Sequence, residues 1–312
     1  MIWVGAYALR PVRHCIDAAM ECLELSAEPW HAAIDPALGA SILSLSCAGH
    51  SVLRAATSAG LAAIGVRATG CYPLVPYANR IGSGRLRLAE RDYALRANFP
   101  PEPHALHGIG WQRPWQTKAR GPTSAELVLD YAADDPMAWP FAFQARLRFV
   151  LGARGLQIAL SVENRDRETW PAGIGLHPNF ALWPGQTLQF DSGGAWANGP
   201  DMLPQRPLER AQSDFSAPRQ VAGLRLDNDF YHWRGRARLA GGPVGPIRLT
   251  ATEAFSVLRV FTPTGRDFIG IEPVSHIADA VHRPQAVGSG YHELAPGQVL
   301  SGTVCIELET RT

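Results

Sequence analysis

Residues 146–164 read Arg146-Leu-Arg-Phe-Val-Leu, then Gly152-Ala-Arg-Gly155, then Leu156-Gln-Ile-Ala-Leu-Ser-Val-Glu-Asn164. Apolar and polar residues alternate on both sides of a glycine-bounded turn. Successive side chains of a strand point to opposite faces, so this pattern predicts two half-buried strands joined as a hairpin. The same period of two recurs outward along the chain. Arg85-Leu-Arg-Leu and Tyr93-Ala-Leu-Arg flank a short polar turn, Cys22-Leu-Glu-Leu-Ser is a short strand, and Trp30 to Ile42 reads as strand, turn, strand. Pro246-Ile-Arg-Leu-Thr-Ala-Thr, Ser256-Val-Leu-Arg-Val-Phe, Phe268-Ile-Gly-Ile and Thr303-Val-Cys-Ile-Glu-Leu continue it. Long amphipathic helical patterns are nearly absent, and 30 glycines and 25 prolines are spread along the chain as turn punctuation. Many short strands with regular turn signals predict an all-β sandwich or barrel. No repeat, low-complexity tract or linker divides it, so one large domain is expected.

The 312 residues are 46% hydrophobic and 18% charged, enough apolar material for a sizeable core. The formal net charge is +1, from 29 basic and 28 acidic residues, which gives no argument for a nucleic-acid or membrane partner. Lys118 is the single lysine; the arginines are scattered and read as composition bias. The five cysteines form no CxxC pair, so neither a disulfide scaffold nor a zinc site is expected. No uncharged apolar run reaches the ~18 residues of a membrane span, and the N-terminus lacks the ordered regions of a signal peptide. A cytoplasmic protein is the expectation, a monomer or homodimer. The alternation begins only at Cys22, so residues 1–21 are read as an N-terminal extension to a domain at 22–312, with Met20 a candidate second start.

Four segments combine charged or imidazole groups with glycine and proline. In Tyr72-Pro-Leu-Val-Pro-Tyr-Ala-Asn-Arg-Ile-Gly82 two prolines stiffen the backbone before Asn79 and Arg80, whose guanidinium fork can donate to several oxygens or simply hold a carboxylate. His104-Ala-Leu-His-Gly-Ile-Gly-Trp-Gln-Arg-Pro-Trp115 carries two imidazoles and two indoles, and an indole face stacks on the CH-lined face of a sugar. In Gly173-Ile-Gly-Leu-His-Pro-Asn-Phe180, His177 precedes proline in an extended conformation and can exchange a proton near neutrality. In Phe268-Ile-Gly-Ile-Glu-Pro-Val-Ser-His276, Glu272 ends an apolar strand, where an acid is either paired or part of a site. A fifth, Leu226-Asp-Asn-Asp-Phe-Tyr-His-Trp233, sets two acids beside three aromatics, which a turn explains equally well. No GxSxG elbow, P-loop or HExxH occurs, and no metal or organic cofactor is expected.

Together these segments resemble the aldose 1-epimerase (mutarotase) family. They follow the family's order and spacing, and the resemblance runs from about Cys22 to about Leu308. It implies a β-supersandwich of the galactose mutarotase type. It also implies His177 as general acid, Glu272 as general base, and Arg80, His107 and Asp227 as sugar-binding residues. Asp229 is a rival for Asp227. Asn79 is a further candidate contact, and Trp111 or Trp233 a candidate stacking face. Asn179 departs from relatives that carry tyrosine after His-Pro.

The expected partner is a monosaccharide. Interconverting the anomers of a cyclic aldose takes a base at the C1 hydroxyl and an acid at the ring oxygen. With Glu272 ionised and His177 protonated, the rate should be bell-shaped in pH. Two other readings stand beside this one. A hexose-6-phosphate 1-epimerase on the same fold would need extra basic residues near C6, and no cluster near the motifs stands out. A carbohydrate-binding protein that has lost catalysis would have replaced the acid or the base, and both are present.

Overall fold

The hairpin at 146–164 lies at the heart of the smaller of two large sheets. Phe143–Gly152 and Gly155–Asn164 pair antiparallel with Gly152 opposite Gly155, leaving the two-residue loop Ala153-Arg154. The computed structural model describes residues 22–88 and 90–309. The expected extension at 1–21, with Met20, lies outside them. Gln116–Arg120 and Ser124–Tyr131 extend the hairpin's sheet on one side. Val299–Leu308, Ile247–Ala251, Arg236–Ala240, Thr187–Phe190 and Arg219–Gln220 extend it on the other, to nine strands.

The larger sheet has twelve strands. Its path runs through Leu23–Ala27, Trp30–Asp35, Ser41–Cys47 and His50–Leu53 to Asn179–Ala181, Phe268–Val274, Val257–Phe261 and Asp227–Tyr231, and ends at Gly194–Asn198 and Pro204–Pro207. Gly175–Leu176 and Pro73–Leu74 attach beside Phe268–Val274. The sheets bury their apolar faces in one continuous core, with Leu25, Trp30, Leu45, Phe230 and Ile271 from the larger and Leu127, Phe149, Ile158 and Val304 from the smaller. This is the all-β sandwich that the alternation predicts. The α-helices among the described residues are short, Ser58–Ile64 and Arg210–Ser213. No helix there is long and apolar enough to cross a membrane.

The period of two also builds the polar face. Phe230, Leu258, Val260, Ile269 and Ile271 go into the core. The residues between them along three adjacent strands, Asp229, Arg259, Gly270 and Glu272, therefore share the opposite face. Register sets Asp229 opposite Arg259, and Arg259 opposite Glu272. Three interacting polar side chains, with Gly270 between them, thus arise from strands that otherwise read as ordinary core.

Candidate active site

Over that polar face lies a cleft of about 310 Å³, at the small end of the ~300–1,000 Å³ typical of ligand pockets. His177 and Glu272 both line it, with Nε2 and Oε1 3.2 Å apart. His177 sits between the short strands Gly175–Leu176 and Asn179–Ala181, its backbone N–H donating to the Tyr72 carbonyl. The Tyr72 ring stacks on the imidazole at 4.6 Å between centroids, and His107 meets it edge-on at 5.6 Å. Glu272 is 1% exposed. Both its oxygens and His177 Nδ1 are buried without a hydrogen-bond partner in the protein. Buried polar atoms are normally paired, so an orphaned set converging on a cleft marks groups shaped to meet a ligand.

Burial dominates the charge states. It drives the Glu272 carboxyl up to about 8, with Asp227 and Asp229 adding to the rise and Arg259 opposing it. It drives the His177 imidazole down to about 3, helped by Arg259 and Arg54, while the Asn179 side chain works the other way. In the free cleft burial thus favours the neutral form of both groups, whereas the expectation of ionised Glu272 and protonated His177 concerns the active form. Between those values the pair holds one proton, and desolvation puts it on the carboxyl rather than leaving two buried charges. The two side chains also touch. O1 and O5 share C1, so side-by-side groups can serve both.

His107 reaches the cleft on a strained loop. Its φ is +62°, and Gly108 beside it has φ +66°. A Cβ on Gly108 would stand 2.1 Å from the Val75 carbonyl oxygen, so only glycine allows this approach. The Asn79 backbone N–H donates to His107 Nδ1 at 3.0 Å. Nδ1 is therefore the acceptor, and the proton of the neutral ring sits on Nε2 as a donor. Burial, with His177, Arg80 and Arg259 nearby, keeps this imidazole well below its ordinary value and uncharged.

Arg80 lines the cleft and is gripped by Glu102, Nε to Oε2 at 2.6 Å and Nη2 to Oε1 at 2.8 Å. Burial works against the Glu102 charge, but Arg80 holds the carboxyl below its ordinary value. Asn79 stands behind Arg80 rather than on the lining. Its Oδ1 accepts from the Arg80 backbone N–H and from Nη1, and its Nδ2 donates to Asp229. Arg259 donates to Asp227 with Nη2 and to Asp229 with Nη1, the latter at 2.8 Å. Asp229 is fully buried and its other oxygen accepts from the Ala278 N–H. Asp227 faces the cleft. Of the two rivals, geometry thus favours Asp227.

Trp111 lines the cleft, its indole N–H donating to the Gly108 carbonyl. Trp233 does not line it, which corrects the alternative stacking assignment. The turn after Asp227–Tyr231 carries Trp233 into the main core, where its N–H donates to the Arg236 carbonyl. Asn179, the departure after His-Pro, donates through Nδ2 to the Thr69 carbonyl and turns toward His177. Tyr72, Glu102 and Arg259 are site residues that the motifs did not single out. Nor did they single out Arg54, Arg67 and Arg266, which line the same cleft from outside the five segments. The arginines taken as scattered are therefore partly clustered.

The family model for aldose 1-epimerase matches residues 22–307. The uncharacterized Escherichia coli K12 protein YphB is 30% identical over 249 residues, which span 77% of this chain and 83% of YphB. A crystal structure of a candidate aldose 1-epimerase from E. coli K12 superposes with a TM-score of 0.83 at 28% identity, over 94% of this chain and all of that one. A galactose mutarotase-like protein from Clostridium acetobutylicum gives 0.79 at 19% identity, over 94% of this chain and 96% of that one, a likeness of fold.

Proposed function

The chain belongs to the aldose 1-epimerase family, and from that premise we propose that it interconverts the α and β anomers of an aldose by acid–base ring opening and closure. The observation that carries this reading is the 3.2 Å contact between His177 Nε2 and Glu272 Oε1 within one cleft. Glu272 takes the proton of the C1 hydroxyl and His177 delivers one to the ring oxygen O5. The C1–O5 bond breaks as C1 becomes a carbonyl. Rotation about C1–C2 presents the other carbonyl face, and the reverse transfers close the ring as the other anomer. The pair ends with the proton count it began with.

The resident proton starts on Glu272. A C1 hydroxyl hydrogen-bonded to the carboxylate stabilises its ionised form, and the proton passes to His177 once the 3.2 Å contact is aligned in the loaded cleft. Charge separation is thus confined to the loaded cleft. Arg80, His107 Nε2–H and Asp227 hold ring hydroxyls, with Asn79 and Arg259 fixing Arg80 and Asp227 from behind. Trp111 offers the apolar face. Acid and base groups placed in this way typically contribute ~10²–10⁴-fold each. Two catalytic groups in contact also speak against a pure sugar binder.

Polarimetry tests the reading. Freshly dissolved α-glucose or α-galactose should reach its equilibrium rotation faster with the protein than in buffer alone. Rates equal to buffer across aldoses would overturn the proposal.

A further inference from the structure

Five arginines line the cleft, Arg54, Arg67, Arg80, Arg259 and Arg266. Two are neutralised there, Arg80 by Glu102 and Arg259 by Asp227 and Asp229. Among the described residues the other three make no ion pair. Arg54 donates to the backbone carbonyls of Arg67 and Thr69, and its guanidinium lies 4.1 Å from the centre of the Phe268 ring. Arg67 lies over Phe99 at 4.6 Å. Arg266 is exposed at the cleft's edge. Asp267 is close enough to influence Arg54 but is exposed and closes no pair with it.

A neutral sugar gives three gathered cations nothing to balance. Resting on the anomerase reading above, we propose that the preferred substrate is an aldose bearing an anionic group, a carboxylate or a phosphate, on the C5 side of the ring, held by Arg54, Arg67 and Arg266. Chemistry fixes the side. The acid His177 serves O5, C5 is bonded to O5, and Arg54 reaches the His177 end of the cleft, where its guanidinium and the Asn179 amide both donate to the Thr69 carbonyl. Tyr72, stacked on His177, feels both Arg54 and Arg67. A group projecting from C5 therefore leaves the acid in the direction of these guanidiniums, whose forks suit planar or tetrahedral oxyanions. Arg54 and Arg266 repel each other, and an anion between them relieves that. It also offsets the field of Arg54 on His177, so that binding the charged substituent favours protonation of the acid.

The test is equilibrium binding by calorimetry, which needs no turnover, with matched pairs: glucose against glucuronate and glucose 6-phosphate, and galactose against galacturonate. In at least one pair the anionic sugar should bind about tenfold more tightly or better, as expected for charged hydrogen bonds worth ~1.5–3 kcal/mol. The advantage should shrink with added salt. It should fall several-fold in Arg67→Gln/Arg266→Gln, two partly or fully exposed sites whose change leaves Arg54 and its backbone contacts intact. The carboxylate and phosphate arms identify the anion. No anionic preference in any pair, or a preference undiminished by the double substitution, overturns the proposal. Anomer exchange followed by NMR on the same samples separates the two ideas. Anionic preference without faster exchange removes the epimerase reading and keeps the subsite, whereas faster exchange without preference does the reverse.

Discussion

The Asn79 backbone N–H donates to Nδ1 of His107, and this one hydrogen bond fixes the tautomer that faces the cleft. With Nδ1 an acceptor and the ring held neutral by burial and by neighbouring cations, Nε2–H can only donate. His107→Phe should therefore raise KM about 3–10-fold, the worth of one neutral hydrogen bond, with a smaller effect on kcat. Nitrogen chemical shifts of the His107 ring should report an unprotonated Nδ1 across the neutral range. A ring that titrates near its ordinary value would contradict the assignment.

Arg259 is the hub behind the cleft-facing Asp227. It is 3% exposed and bridges Asp227 and Asp229, opposite Glu272. Removing one partner of a buried ionic group leaves the others uncompensated, at about 3–5 kcal/mol. Arg259→Met should lower stability by that order in denaturant melts. Asp227→Asn, which keeps a polar group at the cleft, should lose much less stability while raising KM.

Gly270 shares a strand face with Glu272, and a Cβ there would stand 2.9 Å from Glu272 Oε1 and 3.6 Å from His177 Cε1. Gly270→Ala should push the carboxylate off its contact, reducing kcat by tenfold or more, on the order expected for a ~1 Å misplacement. Stability should change little, since alanine suits a strand interior better than glycine and the obstructed atom ends a side chain. An alanine variant with full activity would show that the carboxylate position does not matter.

Stability should depend on pH in opposite directions through the two members of the pair. An unfolded glutamate loses its proton near ~4.3, whereas folded Glu272 holds its proton to about 8. Across that window the folded state binds more protons, so this group makes stability fall as pH rises. His177, lowered to about 3, makes stability rise with pH up to the unfolded value near ~6.5. Glu272→Gln should therefore gain on the natural protein between about pH 5 and 8, by at least about 1 kcal/mol at the upper end. His177→Asn should gain on it at acid pH instead. Thermal melts across pH check both signs.

The fold was legible because half-buried strands write their geometry into the sequence as alternation, most clearly at 146–164. His177, Glu272 and His107, which share one cleft, were legible as candidates because each sits among glycine and proline in a segment too polar or too stiff for a plain strand. Arg259 was not. It lies within Ser256-Val-Leu-Arg-Val-Phe, which reads as a strand, although a lone arginine in so apolar a run was a usable sign of a buried partner. Glu102 hides in a proline-rich loop. Arg54, Arg67 and Arg266 are joined only by the chain's path through two sheets. Trp233 misled because an aromatic next to acids looks the same from sequence whether the next turn leads to the cleft or to the core. The proton distribution depends on desolvation, which spacing does not reveal.

The most direct test is a double-substitution cycle on anomer exchange measured by NMR, using the natural protein, His177→Asn, Glu272→Gln and the double variant. If the two groups move protons as one unit, each single change should cost about 10²–10⁴-fold, and the double variant should be little worse than either. The natural protein's rate should hold between limbs near the values of the pair, about 3 and about 8. A single variant that keeps its rate within a few-fold, or losses that simply multiply, would show that His177 and Glu272 do not act together on one sugar.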